Sequence, residues 1–284
     1  MILPVRRGAS FLADVAAANL EAPDFHLWWL GQSGFLVQWR NQHLLIDPYL
    51  SDSLTKKYAA TDKPHVRMTE RVVEPEELDF IDVVSSSHNH TDHLDPDTLQ
   101  PLLRVNPAVK LVIPEANRRL VAERLAIDPA CPFGVDDGST VTVAGFEFIG
   151  VAAAHEQVER DDLGRSRFLG YMIRFGRWAL YHSGDTVRYD GMIERLRRWK
   201  IDVTLLPING RAAERRVPGN LNGPEAAVMA KEMGARLVIP CHYEMFECNT
   251  ASPDEFVAEA QKLTQPYRIL RCGERWSSSE LEAG

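Results

Sequence analysis

Short apolar runs alternate with helical patterns along the chain. LWWLG (27–31) and GFLVQW (34–39) have the near-continuous apolar character of buried strands, and HLLID (43–47) follows a turn at Arg40-Asn41-Gln42. IDVVSSS (81–87) and KLVIP (110–114) predict two more. Between them Asp95-Pro96 supplies an N-cap and a first-turn proline for a helix through about Arg104. A helix over roughly 115–126 gathers Leu120, Val121 and Leu125 on one face. VTVAGFEFIGVAAA (141–154) predicts two strands around Gly145, and FLGYMIRF and WALYHS a hairpin around Gly176-Arg177. A helix near 189–199, a strand over 202–206, a loop over 207–222 and a helix over 224–233 follow. The strand RLVIP (236–240) and a helix over 253–263 complete the series, with Gly234 stopping one helix and Ser252-Pro253 starting the next. The polar stretch 51–70 reads as a loop, and the highly charged stretch 156–167 as a mobile one.

Part of this series repeats. IDVVSSSHNH (81–90) echoes IDVTLLPING (201–210), KLVIP echoes RLVIP, and GFLVQWRNQHLLID (34–47) echoes GYMIRFGRWALYHSGD (170–185). The order is the same each time: hairpin, strand, loop, helix, strand. Three matches in register predict a duplicated α/β unit within one domain over 1–284, with halves about 27–126 and 141–272. Two such units would set their sheets face to face with helices outside. The loops after 87 and 206 would then meet at one edge, where loops carry function.

Composition narrows the class. The 284 residues are 45% hydrophobic and 25% charged, which excludes a wholly disordered or collagen-like chain. No run approaches the roughly 18 apolar residues of a membrane span. Lys+Arg 32 against Asp+Glu 40 gives a net charge of -8, which argues against a general nucleic-acid binder. The four cysteines (131, 241, 248, 272) form no CxxC pair, so reduced thiols and a cytoplasmic location are expected. Arg6-Arg7 precedes a short apolar stretch that Asp14 interrupts, and the segment reads as an N-terminal helix or arm.

The chemistry concentrates in His88-Asn89-His90-Thr91-Asp92-His93, three of the nine histidines with a carboxylate in six residues. Residues two apart on an extended segment point the same way, so His88 and His90 can grip one ion. A turn after His90 can aim Asp92 and His93 at a second. Imidazole and carboxylate suit zinc, manganese or iron without a thiolate. The alternative is a solvated polar loop, which so dense a histidine cluster disfavours. Further donors stand at other strand ends: His155 after VAAA, Asp185 after LYHSG and His242 after RLVIPC. Each has an ordinary alternative, respectively a surface imidazole, a turn former and a buried hydrogen-bonding ring. Their shared placement favours the metal reading.

The order HxHxDH, His, GD, His resembles the metallo-β-lactamase superfamily, from about Leu27 to about Cys272. Trp28-Trp29-Leu30-Gly31, HNHTDHLD, LYHSGDT and VIPCH are similar to its ascorbate-6-phosphate lactonase (UlaG-like) branch. The resemblance implies an αβ/βα four-layer sandwich. It implies that His88, His90 and His155 bind one metal and Asp92, His93 and His242 another, with Asp185 bridging. Manganese or zinc, a small anionic substrate and a homo-oligomer are further implications. No nucleic acid or membrane partner is expected.

The expected activity is hydrolytic: a metal-bound hydroxide attacks an ester or lactone, and Asp92 orients the water or accepts its proton. A metal-dependent phosphodiesterase and a binding module without turnover are the alternatives. Asn209 and Arg211, the first polar side chains of the 207–222 loop, are candidate substrate contacts, since an arginine binds phosphate bidentately. Lys56, Lys57 and Tyr58 are a second candidate anion site, with a solvated loop as the favoured reading; Arg215 and Arg216 read as solvated. His182 either supports Asp185 or is a buried hydrogen-bonded ring. His26, His43 and His65 read as non-functional, and Trp28-Trp29 as core. GQSGF is not a nucleophile elbow, because Phe35 stands at its last glycine position.

Overall fold

The computed structural model describes residues 1–18, 24–217 and 219–281. Two mixed sheets face each other. The first is built from β1 (Phe25–Gly31), β2 (Gly34–Trp39), β3 (Gln42–Ile46), β4 (Val83–Ser85), β5 (Lys110–Pro114) and β6 (Phe133–Val135). The second contains β7 (Thr140–Val143), β8 (Phe146–Ala152), β11 (Leu169–Phe175), β12 (Trp178–His182), β13 (Val203–Pro207) and β14 (Leu237–Cys241). A small hairpin, β9 (Ala154–His155) and β10 (Gln157–Val158), leaves the end of β8. The last strand, β15 (Arg275–Ser277), returns to the first sheet, whose order is β15-β1-β2-β3-β4-β5-β6. The second sheet runs β14-β13-β12-β11-β8-β7.

Aromatic side chains join the sheets. The Phe25 ring lies 5.2 Å from both Phe175 and Trp178, and Trp39 lies 5.6 Å from Phe175. Edge-to-face pairs of this kind contribute about 0.5–1.5 kcal/mol beyond the area they bury. Trp28 and Trp29 are buried in this core, each tied by its indole N–H, to Asp14 Oδ2 and to the Gln32 carbonyl.

The helices flank the sheets: α1 (Ala9–Ala18), α2 (Ser53–Tyr58), α3 (Pro96–Val105), α4 (Arg118–Leu125), α5 (Met192–Leu196), α6 (Gly223–Met233) and α7 (Asp254–Lys262). Their ends follow local chemistry. Asp95 caps α3 by accepting the Asp97 N–H. Asn222 and Glu225 form a capping box on α6, and Gly234 ends that helix at φ 77°.

The two repeated stretches fold alike. In each, a hairpin is followed by two parallel strands: β2-β3 then β4 and β5, β11-β12 then β13 and β14. The shared Ile-Asp-Val has one physical role. Asp82 accepts the His43 N–H at 2.8 Å, and Asp202 the Ala179 N–H at 2.9 Å. Each carboxylate thus registers its strand against the preceding hairpin.

Several segments differ from expectation. The 51–70 loop contains α2, whose six residues are too few to show a helical period. The helix expected near 189–199 is only Met192–Leu196, because Gly191 at φ 81° holds the preceding residues in a turn. The 156–167 segment is a built turn: Arg160 bridges to Ser166, and Asp161 receives the Leu163 and Arg165 N–H groups and the Arg165 guanidinium. The three-residue strands β6 and β15 were not expected.

Candidate metal centre

The site forms where strands of both sheets end. After β3 the chain turns at Asp47, whose φ of 43° is left-handed. Its Oδ1 accepts the Ser87 N–H at 2.7 Å, and its Oδ2 accepts from the Ser87 hydroxyl and from His93 Nδ1. This carboxylate therefore fixes both ends of the histidine-rich loop. The loop closes as a turn, with the His93 and Leu94 N–H groups on the His90 carbonyl at 3.1 and 2.8 Å. Arg124 holds the Asn89 carbonyl from outside.

The second sheet brings the other donors. His155 lies in β9, Asp185 follows β12 and His242 follows β14. The turn before Asp185 needs Gly184: its φ is 60°, and a Cβ there would lie 2.7 Å from the Leu169 carbonyl and 2.9 Å from Ser87 Cβ. His182 braces this turn rather than touching Asp185. Its Nε2 donates to the Ser33 carbonyl, and its Nδ1 accepts the Gly184 N–H.

All seven expected donors come together. Donor atoms of His88, His90 and His155 lie within 4.8 Å of one another, as do those of Asp92, His93 and His242, and those of His88, His93 and Asp185. Asp185 stands between the first two groups. Its Oδ1 is 3.3 Å from His93 Nε2, and its Oδ2 is 3.3 Å from His242 Nε2 and 3.6 Å from His155 Nε2. The Phe168 ring backs the first group, 5.0 to 5.8 Å from His88, His90 and His155.

The hydrogen bonds around the rings orient them for a cation. His155 Nδ1 donates to the Gly219 carbonyl at 2.7 Å and His93 Nδ1 to Asp47. The Ser87 hydroxyl donates to Asp47, so it accepts from His88 Nδ1 at 3.0 Å. Each ring thus turns Nε2 inward, the arrangement a ligating imidazole needs. Among the described residues His88 Nε2 is buried without a hydrogen-bond partner, and the buried His93 Nε2 and Asp185 Oδ1 have only an ion-pair approach of 3.3 Å to each other in place of one. Bare buried donors are costly unless something binds them, so this set fits one or two divalent cations.

Electrostatics agree with that fit. Burial, reinforced by His93 and His90, holds His88 well below its ordinary pKa, and burial lowers His90 to about 4. Burial also opposes charge on His93, but Asp185, Asp92 and Asp47 outweigh it and hold that ring well above its usual value. Asp185 lies well below the usual carboxylate range: burial works against the charge, and His242 and His93 overcome it.

The centre floors a cleft of about 660 Å³ lined by His90, Asp92, His155 and Asp185, with Lys57, Tyr58, Lys63 and Arg216 among its walls. Two expected substrate contacts lie elsewhere. Arg211 is not on the cleft lining: its guanidinium forks onto Glu225, 2.6 Å to each oxygen, and its stem packs over Gly219. Asn209 is buried behind the wall, donating to Asn249 at 2.8 Å and accepting from Asn220 at 3.0 Å. Both of those partners line the cleft, as does Arg216, whose side chain is 62% exposed, as its solvated reading expects. Lys57 and Tyr58 reach the cleft, whereas Lys56 borders a separate depression.

Sequence reasoning missed Asp47 and Gln32. Asp47 closes the apolar strand HLLID, and no further local signal marks it. Gln32 sits in the turn between β1 and β2, fully buried at φ 50°. Its amide donates to Asp92 Oδ2 at 2.7 Å and lies 3.1 Å from His242 Nε2.

Known proteins resemble this chain over most of its length. The family described as the beta-lactamase superfamily domain matches residues 42–243. A metal-dependent hydrolase from Opitutus terrae is 31% identical over 255 residues, which is 87% of this chain and 97% of that one. The fold is shared with a metallo hydrolase from Ignicoccus hospitalis (TM-score 0.66, 22% identity, 89% of this chain and 98% of that one). It is also shared with a possible metal-dependent hydrolase from Veillonella parvula (TM-score 0.70, 16% identity, 88% and 98%).

Proposed function

The chain belongs to the beta-lactamase superfamily and is a metal-dependent hydrolase, and we propose that within that class it is lactonase-like, opening a small anionic lactone or ester. The observation that carries this reading is the placement of Asp185, one carboxylate facing donors of both three-residue groups at the floor of a cleft. Two adjoining cation positions over a substrate-sized space suit attack by water on a polarised carbonyl.

A divalent ion held there supplies Lewis acidity, stabilising charge on the attacked oxygen and lowering the pKa of water from about 15.7 to about 7. The chain does the rest. His88, His90 and His155 form one ligand group and Asp92, His93 and His242 the other, with Asp185 shared. The Asp92 side chain is 14% exposed, against 0% for His93 and 4% for Asp185. It is therefore the carboxylate placed to orient an entering water and accept its proton. Gln32 holds Asp92 Oδ2, so that carboxylate meets the water in one orientation. Phe168 and the buried loop ends keep bulk water from the far side of the ligands. Manganese or zinc as the ion, a cytoplasmic location and a homo-oligomer belong to the same reading. No helix among the described residues is long and apolar enough to cross a membrane.

The test is a screen of the metal-loaded protein against lactones, bis-p-nitrophenyl phosphate and single-stranded RNA. Lactone turnover is expected. Cleavage of the diester or RNA alone would replace this reading with a phosphodiesterase. Binding without turnover of any of them would make the chain a binding module.

A further inference from the structure

The cleft over His90, Asp92 and Asp185 also contains Lys57, Lys63, Arg124 and Arg216 on its lining, in a chain whose net charge is -8. Most of these cations are already occupied or solvated. Arg124 holds the Asn89 carbonyl, Arg216 pairs with the exposed Asp62 at 2.8 Å, and Lys57 lies 5.2 Å over the Tyr58 ring. Lys63 is different. Its Nζ is buried and has no hydrogen-bond partner among the described residues. An ammonium has three donors and is costly to bury unpaired.

The segment that carries it is held in place. His65 Nδ1 donates to the Lys63 carbonyl at 3.3 Å. The His65 ring stacks on Tyr58 at 4.3 Å and 23° and meets Phe246 edge-on at 5.3 Å. Burial presses Lys63 below its ordinary lysine value; Cys248 and Asp62 work against that, and Arg216 and Arg215 add to it. An anion bound beside the ammonium would offset the cost of its burial.

We propose that Lys63 is an anion subsite of this cleft, taking a carboxylate or phosphate that the substrate carries apart from the bond that is broken. The Tyr58, His65 and Phe246 rings beside it take the carbon skeleton. The assignment rests on the hydrolase reading for the reaction, but the subsite itself can be tested without turnover.

Wild-type, Lys63→Met and Lys63→Arg proteins are compared in metal-loaded form, with metal content measured for each. Calorimetric titration with inorganic phosphate is the first arm. Lys63→Met is expected to weaken binding about tenfold, the scale of one charge-assisted hydrogen bond, while Lys63→Arg restores most of it. The second arm compares γ-butyrolactone with its 3-carboxylate. The preference for the carboxylated lactone in kcat/KM is expected to fall about tenfold in Lys63→Met, through KM. Equal phosphate binding by wild type and Lys63→Met overturns the proposal, as does phosphate binding by neither. If phosphate binding falls as expected but neither lactone is opened, the subsite stands and the lactonase reading fails.

Discussion

His93 Nδ1 lies 2.6 Å from Asp47 Oδ2, and neither side chain is exposed. The same carboxylate holds the Ser87 amide, and Ser87 in turn holds His88. One buried acid thus orients a donor of each proposed ion position. Asp47→Asn keeps the shape but gives His93 and Ser87 a neutral partner. It is expected to weaken metal binding about 10–100-fold, read by competition with a chromogenic chelator. Unchanged affinity for both ions would remove Asp47 from the site.

His93 predicts proton release on metal uptake. Asp185, Asp92 and Asp47 overcome burial and hold its pKa well above 6.5, so the ring is cationic at neutral pH before an ion binds. A ligating imidazole must be neutral, so ion and proton compete. Affinity is therefore expected to rise with pH through the neutral range. Titration calorimetry in buffers of different ionisation enthalpy should show about one proton leaving per ion in the Asp92, His93, His242 group. A buffer-independent enthalpy would contradict this.

His90 pulls the other way. Burial lowers its pKa to about 4, below the 6.5 of an exposed ring, so the folded state resists protonating it. The unfolded chain binds that proton first. Its contribution to stability is accordingly present above pH 6.5 and lost as the pH falls toward about 4. Urea titrations of the metal-free protein across that window should show His90→Ala less sensitive to acid than wild type. Parallel curves for the two proteins would count against it.

Asp92→Ala and His90→Ala are each expected to lower turnover by about 10²–10⁴-fold after stripping and reloading metal. The far-ultraviolet circular dichroism should be retained, because both side chains lie at the cleft rather than in the core. Near-normal turnover in either variant would break the assignment.

Gln32→Leu removes the amide that holds Asp92 Oδ2 while keeping the buried volume. A hydrogen bond to a charged group is worth about 1.5–3 kcal/mol, so kcat should fall roughly 10–100-fold. KM should move less, since Gln32 does not line the cleft. A pure KM effect would instead place Gln32 in substrate binding.

The donors were legible because their signals are local: a dense histidine run, and single His or Asp residues at the ends of apolar strands. What could not be read locally was who partners whom. Arg211 has the chemistry of an anion contact, but the capping box of α6 places Glu225 within its reach. Asp47 looked like an ordinary strand end, and its role appears only when β3 and β4 pair and bring Ser87 alongside. Lys63 lies in a polar stretch with no period, and its isolation is a property of the folded cleft. The short strand β15 has three residues, too few for alternation to show.

The donors divide between the repeated stretches. His88, His90, Asp92 and His93 come from the first sheet's loops, and His155, Asp185 and His242 from the second's. Neither portion holds a full coordination sphere alone, so an ion seated there acts as a rivet through the seam. Chelation would then loosen the protein first along that seam, and amide exchange at Ser87, Gly184 and His242 would quicken before exchange in the strands behind them.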